Sequence, residues 1–180
     1  MKREDVEQLQ AEAAALLRKA SIAFTEQEKN SMEVADFGLD DIRNVGLELI
    51  VYENNERYCA KELILLPRQM CPQHRHPRVD ELNAGKRETF RCRWGEVYLY
   101  VEGPATPGPR ALVPDRHKKH LSVWHEMVLR AGDQYSITPN TLHWFQAGDQ
   151  GAVVSEFSTA SFDEKDWFSN PNINRITKVK

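Results

Sequence analysis

Apolar residues near the start of the chain follow a helical repeat. Residues 4–20 carry them at every third or fourth position, as Val6, Leu9, Ala13, Leu16 and Leu17. This spacing places side chains on one face of a helix. Thr25 followed by Glu28 is a candidate capping box for a second, short helix over residues 26–34. Residues 1–40 are therefore predicted to form a helical extension.

From about Val45 the apolar repeat changes to alternation, which is typical of strands. Leu47, Leu49 and Val51 begin this pattern, and glycines separate many of the runs that follow. The further predicted strands are 58–66, 87–94, 96–102, 122–130, 134–138, 141–146 and 151–158. So many short strands predict an all-β sandwich or small barrel over residues 45–160. We expect residues 1–180 to form a single domain.

Composition narrows the class of protein. The formal charge of -3 lacks the basic excess that is typical of a nucleic-acid surface. The three cysteines are odd in number and have no CxxC spacing, so free thiols in a reducing compartment are expected. The charged N-terminus does not resemble a secretory signal, and no run has the roughly 20 apolar residues of a membrane span. We expect a cytoplasmic protein.

Metal-binding residue types recur along the predicted strands. His74 and His76 are two residues apart, so on a strand both imidazoles point to the same face. Glu88 opens a later strand, and His143 follows the turn residues TPNTL. Imidazole and carboxylate groups converging from separate strands are suited to one divalent cation.

These motifs resemble the cupin family. The pair HxH, then Glu88 separated from Gly95 by six residues, is similar to the first cupin motif, and Gly132-Asp133 followed by His143 is similar to the second. The resemblance implies four metal ligands: His74, His76, Glu88 and His143. Cupins usually leave a shorter gap between the second histidine and the glutamate, so Glu81 competes with Glu88. We favour Glu88 because ETFRCRWGE has the pattern of a strand, a turn and a strand, whereas VDELNAGK is typical of a loop.

A closer resemblance covers roughly residues 20–170. The runs DFGLDDIRNVGLELIVY, RYCAKELILLPRQMCPQHRHP, GKRETFRCRWGEVYLYVEG and TPNTLHWFQAGDQGAVVSEFS are similar to the D-lyxose ketol-isomerases, which are small cupins. The resemblance implies reversible conversion of D-lyxose to D-xylulose, with D-mannose and D-fructose as a further pair. It also implies Mn²⁺ as the metal and a homodimer as the assembly.

The chemistry of the expected ligand set agrees with aldose–ketose isomerisation. On an octahedral ion, three imidazoles and one carboxylate leave two positions for the sugar's carbonyl and hydroxyl oxygens. Polarising the carbonyl acidifies the adjacent C–H, and a base can then move a proton from C2 to C1 through an enediol. We predict Glu156 as this base, because it is an acid within an apolar strand. Lys61, a cation among apolar residues, is predicted to donate to a substrate oxygen or to act as a second acid.

Two other functions fit the same four ligands. A non-haem iron dioxygenase would use the open positions for O₂ and would consume oxygen. A metal-bearing sugar-binding module would bind a pentose without exchanging its C2 proton with solvent.

Overall fold

A computed structural model describes all residues from 1 to 180. It contains three helices, nine strands and a 3₁₀ turn at Asp163–Lys165. The helices are α1 (Arg3–Lys19), α2 (Glu26–Ser31) and α3 (Asp115–Lys118). The strands are β1 (Glu33–Ala35), β2 (Leu47–Asn54), β3 (Cys59–Leu65), β4 (Met70–Arg75), β5 (Glu88–Val101), β6 (His125–Arg130), β7 (Gln134–Ile137), β8 (His143–Ser158) and β9 (Trp167–Phe168).

The two N-terminal helices begin where the sequence predicts them. Helix α1 buries the apolar face of its repeat against the outside of the sheet, where Leu9 and Leu17 pack with Ile64 and Val153. Helix α2 has the predicted capping box, since the Thr25 hydroxyl accepts a hydrogen bond from the backbone N–H of Glu28 at 3.0 Å.

Strands β5 and β8 are the long central strands of the fold. The sequence predicts two strands in place of each, and that prediction is wrong, because Gly95 and Gly151 bend the strands without ending them. Both glycines have positive φ angles, +74° and +89°, and a Cβ on Gly95 would lie 2.2 Å from the Gly151 carbonyl oxygen. Both positions require glycine, because a Cβ would block the close approach of the two bent backbones.

The bend folds one sheet into two facing layers. The first half of β5 pairs with β7 and the second half with β6, while β8 pairs with β4 near its start and with β3 near its end. Apolar side chains from both layers fill the interior between them, including Phe90, Leu99, Tyr100 and Trp144. The ends of β5 and β8 therefore meet on the side opposite the bend, and this is the side that carries the predicted site.

Three of the observed strands, β1, β4 and β9, are not in the set of strands predicted from the sequence. Strand β1 occupies residues that the sequence assigns to the end of the second helix, and that part of the prediction is wrong. Strand β4 carries His74, and the two-residue β9 pairs with it after the predicted barrel has ended. None of the helices combines the length and apolar character that a membrane crossing requires.

Candidate metal centre

Three imidazoles converge at the open end of the two layers. His74 lies in β4 directly opposite His143, the first residue of β8, and His76 follows β4 by one residue. One ring nitrogen from each of the three lies within 4.8 Å of the other two, and all three residues are buried. The sequence prediction that these histidines share one site therefore agrees with their placement.

Each imidazole is oriented by a hydrogen bond to its Nδ1 atom. Nδ1 of His74 is 2.8 Å from the Pro72 carbonyl oxygen, and Nδ1 of His143 is 2.8 Å from that of Thr141. Nδ1 of His76 is 2.5 Å from the Asp166 carboxylate. Because these oxygens only accept, each Nδ1 must carry the hydrogen, which leaves the Nε2 lone pairs free to bind a metal.

Glu88 supplies a carboxylate to the same centre. Its Oε1 atom lies 3.3 Å from Nε2 of His76 and 3.0 Å from Nε2 of His143. All three of these atoms are buried and none has a hydrogen-bond partner. Buried polar atoms are rarely left unpaired, so this donor set fits a divalent cation bound between the side chains. The competing candidate, Glu81, lies exposed on the loop before β5.

The charges around the centre set the protonation of its side chains. Burial raises the pKa of the Glu88 carboxyl, but the Lys86 ammonium and the His76 imidazole outweigh burial and hold that pKa well below its usual range. Burial together with the neighbouring imidazoles lowers the pKa of His74. Glu88 is therefore ionised and His74 neutral, and these are the forms that bind a metal.

His76 lies between two carboxylates. Burial alone would lower the pKa of its imidazole, but Glu88 on one side and Asp166 on the other raise that pKa to about 9. A positive charge is thus favoured at this position, and a divalent cation supplies one while displacing the proton.

The two predicted catalytic residues both line the pocket that His74 and His76 also line. Glu156 and Lys61 lie opposite each other in the ladder between β8 and β3, and both are buried. The ammonium of Lys61 contacts Asp163 at 3.0 Å and the Ser161 hydroxyl at 3.2 Å. Its role as a donor to substrate stays a prediction.

Lys86 is one residue of the site that the sequence analysis does not identify. Its Nζ atom lies 2.8 Å from Glu88 and 2.5 Å from Glu156, so one ammonium joins the proposed ligand to the proposed base. Burial lowers the pKa of Lys86, but the two carboxylates outweigh this and hold it well above its usual value. Its spacing could have revealed it, because Lys86 precedes Glu88 by two residues and side chains at that spacing share a face in extended chain.

Residues beyond the predicted barrel also reach the pocket. Asp163 contacts Lys61, Asp166 contacts His76, and Arg175 contacts both Asp163 and Glu33. Burial raises the pKa of Asp163, but Lys61, Lys86 and Arg175 outweigh this and lower it. No local pattern in the sequence connects these three residues to the histidines.

Apolar side chains form the rest of the pocket wall. They come from both layers and from β9, and they are Phe37, Leu47, Leu49, Leu63, Phe90, Phe145 and Phe168. The wall limits access of water, which strengthens electrostatic interactions among the charged groups that it surrounds. The arrangement can hold a cation and move protons at a small polar substrate.

Comparisons with known proteins identify the family. Residues 11–180 match the family model described as D-lyxose isomerase. The chain belongs to the D-lyxose isomerase family. It is therefore an aldose–ketose isomerase, as predicted, and the dioxygenase and turnover-free alternatives are set aside.

Relatives in this family match almost the whole chain. A D-lyxose ketol-isomerase of Thermofilum sp. is 59% identical over 177 residues, covering 98% of each chain. A D-lyxose/D-mannose isomerase of Thermosediminibacter oceani is 54% identical over 180 residues, covering 100% of this chain and 99% of the relative.

Solved structures confirm the predicted cupin fold. An L-ribose isomerase of Acinetobacter sp. DL28 in complex with L-ribose superimposes with a TM-score of 0.83 at 18% identity, covering 100% of this chain and 98% of that one. The L-ribose isomerase of Cellulomonas parahominis with L-ribose gives 0.81 at 19% identity with the same coverage.

Proposed function

We propose that this isomerase interconverts D-lyxose and D-xylulose, with D-mannose and D-fructose as a further pair. The strongest support for the site of reaction is a group of three buried atoms without hydrogen-bond partners. They are Nε2 of His76, Nε2 of His143 and Oε1 of Glu88. The substrate assignment is supported by relatives above 50% identity that are described as D-lyxose isomerases.

His74, His76, Glu88 and His143 would hold one divalent ion, which we propose to be Mn²⁺. The ion would polarise the sugar carbonyl and so acidify the neighbouring C–H group. The donor set of three nitrogens and one oxygen also suits other first-row metals, so the choice of Mn²⁺ comes from the family resemblance.

Glu156 is proposed to carry the proton. Its carboxylate takes the proton from C2 of the aldose and returns it at C1, so one side chain acts first as base and then as acid. Lys86 orients this carboxylate through their 2.5 Å contact. General acid–base catalysis of this kind contributes about 10²–10⁴-fold in rate.

Two lysines are proposed to bind substrate oxygens. Lys86 uses two of its three N–H groups on Glu88 and Glu156, which leaves one for a sugar oxygen. Lys61 lines the same pocket and is fixed by Asp163. Placing both ammonium groups near the reacting carbons would stabilise negative charge as it develops on oxygen.

The proposal includes a homodimer in the cytoplasm. Tyr52 and Phe157 are about half exposed, at 45% and 52%, on neighbouring parts of the sheet, which supports an apolar contact between two copies. All three cysteines are buried and unpaired, which supports a reducing compartment. Sedimentation equilibrium is expected to give twice the chain mass.

The reaction can be tested with isotopic solvent. The Mn²⁺-loaded protein is incubated with D-lyxose in D₂O without oxygen, and the products are followed by NMR. D-Xylulose with deuterium at C1 is expected, because a proton on Glu156 exchanges with solvent. Absence of ketose from D-lyxose and from D-mannose would contradict the proposal.

A further inference from the structure

His76 differs from the other two imidazoles in the origin of its hydrogen-bond partner. His74 and His143 each contact the backbone carbonyl two residues earlier in the chain, so those bonds form wherever the strands form. The partner of His76 is a side chain 90 residues later, Asp166. The orientation of His76 therefore depends on a distant segment being in place.

Strand pairing brings Asp166 to His76. Strand β9 pairs with β4 through His74 with Phe168 and Arg75 with Trp167. Continuing this antiparallel register by one residue places Asp166 opposite His76. The Asp166 side chain is only 10% exposed, and its carboxylate faces the imidazole.

Few interactions hold the segment Asp163–Phe168 to β4. The ladder has two residue pairs, the Phe168 ring lies 5.5 Å from the His74 ring, and the Arg75 guanidinium lies 4.7 Å from the Trp167 ring. Ser169 adds a backbone hydrogen bond to the Gln73 carbonyl at 3.1 Å. Such a short, partly exposed ladder opens at lower free energy than the core strands do, while Asp163 at the start of the segment is held separately by Lys61 and Arg175.

We propose that Asp166 is a positioning residue for the metal centre, through which ion binding and docking of the segment Asp163–Phe168 on β4 are coupled. The inference rests on the proposed function, because it takes His76 to be a metal ligand. In this role the Asp166 carboxylate contacts Nδ1 of His76, and Nε2 of the same ring lies 3.3 Å from Oε1 of Glu88.

The coupling follows from linkage. If docking of the segment raises the affinity of the site for the ion by some factor, then binding of the ion raises the docking equilibrium constant of the segment by the same factor. Hydrogen bonds to metal-bound imidazoles typically change metal affinity by about 10–100-fold. The carboxylate of Asp166 and that of Glu88 also contact opposite nitrogens of the same ring, so both favour positive charge at this side of the centre.

The first measurement is metal affinity without substrate. Mn²⁺ is titrated calorimetrically into the metal-free wild type, Asp166→Ala, Asp166→Asn and Glu164→Ala. Glu164 is an exposed acid in the same turn and serves as the matched control. We expect Asp166→Ala to raise the Kd about 10–100-fold. Asp166→Asn should have a smaller effect, because its amide oxygen can still accept from Nδ1, and Glu164→Ala should match the wild type.

The second measurement is amide hydrogen exchange over residues 163–169, followed by mass spectrometry with and without Mn²⁺. Added Mn²⁺ should slow exchange in the wild type and in Glu164→Ala, but not in Asp166→Ala. A purely structural role for Asp166 would instead lower the melting temperature of the metal-free protein and leave the Mn²⁺ affinity unchanged.

The outcomes separate this inference from the proposed function. Should Asp166→Ala not fold, a reduced Mn²⁺ affinity in the folded Asp166→Asn variant supports the inference, and a wild-type affinity overturns it. Equal affinities in Asp166→Ala and the wild type also overturn it while leaving the metal centre intact. A wild type that takes up no ion contradicts the metal centre itself.

Discussion

Oε1 of Glu88 lies 3.0 Å from Nε2 of His143, although the two residues begin antiparallel partner strands. In the β5–β8 ladder Glu88 pairs with Ser158, and His143 pairs with Val101. On a flat ladder of this length the two residues would be roughly 40 Å apart. The bend at Gly95 and Gly151 brings them together, so the site depends on the fold at its opposite end.

The bend can be tested at Gly95. Gly95→Ala would place a Cβ 2.2 Å from the Gly151 carbonyl oxygen, at a φ of +74°. We expect a loss of more than about 3 kcal/mol in the free energy of unfolding, measured with urea, because neither backbone can move without disturbing the ladder. Gly108→Ala is the matched control, since Gly108 has a φ of +63° and nothing within 4 Å of the added Cβ. A loss there of about 1 kcal/mol would report the backbone conformation alone. If Gly95→Ala and Gly108→Ala lost equal amounts of the free energy of unfolding, the close approach of Gly95 to Gly151 would not explain the effect.

Glu156 can be tested as the proton carrier. Glu156→Gln keeps the shape of the side chain but cannot accept a proton, so we expect kcat to fall by about 10²–10⁴-fold while Mn²⁺ remains bound. Glu62→Gln is the control, because Glu62 is another buried acid of the same layer, bonded to Ser155 and outside the pocket. Turnover of Glu156→Gln at the rate of Glu62→Gln would discard the assignment.

Lys86 is expected to stabilise the metal-free protein strongly. Lys86→Met leaves two buried carboxylates, those of Glu88 and Glu156, without their shared cation. Removing one partner from such a buried group costs about 3–5 kcal/mol, measured by urea unfolding. Adding Glu156→Gln should recover part of this loss, because one of the two unpaired charges is then absent. Independent, additive effects in the double variant would show that the two residues are not coupled.

Glu48 predicts a pH dependence of stability that is unrelated to the site. Burial raises the pKa of this carboxyl to about 8, against 4.5 as the ordinary value. Between these values the folded protein holds a proton that the unfolded chain releases. The contribution to stability is therefore complete below about pH 4.5 and is lost as the pH rises through 8.

The variant Glu48→Gln removes this proton. We expect the free energy of unfolding of Glu48→Gln, relative to that of the wild type, to rise by about 1–3 kcal/mol when the pH is raised from 5 to 9. Urea unfolding at both pH values measures this difference. Glu53→Gln, at an exposed position of the same strand, should show no such change. A difference between wild type and Glu48→Gln that is the same at both pH values would contradict the buried, protonated carboxyl.

Local patterns in the sequence were sufficient for much of this structure. The helical repeat predicts α1, the capping box predicts the start of α2, and the HxH pair with Glu88 predicts three of the residues that line the pocket. The split of β5 and β8 into two predicted strands each is wrong at Gly95 and Gly151, because a glycine in an apolar run indicates a bend and a turn equally well. Only the pairing of β5 with β8 along their whole length distinguishes the two.

The charged residues around the three histidines and Glu88 are harder to predict. Lys86 lies in GKRE, a polar run that resembles a solvated loop, and its burial arises only when Glu88 and Glu156 approach it. Asp166 and Arg175 reach the pocket from the C-terminal part of the chain, through contacts with residues 90 and 142 positions earlier. Such long-range pairings leave no periodicity in the sequence.

Anomalous diffraction at the manganese edge, from crystals of the Mn²⁺-loaded protein, would locate the ion that the four side chains are proposed to hold. We expect a single strong peak enclosed by His74, His76, Glu88 and His143, at about 2.0–2.3 Å from each ligand atom. A peak bound by other residues, or crystals of active enzyme with no peak among these four, would contradict it.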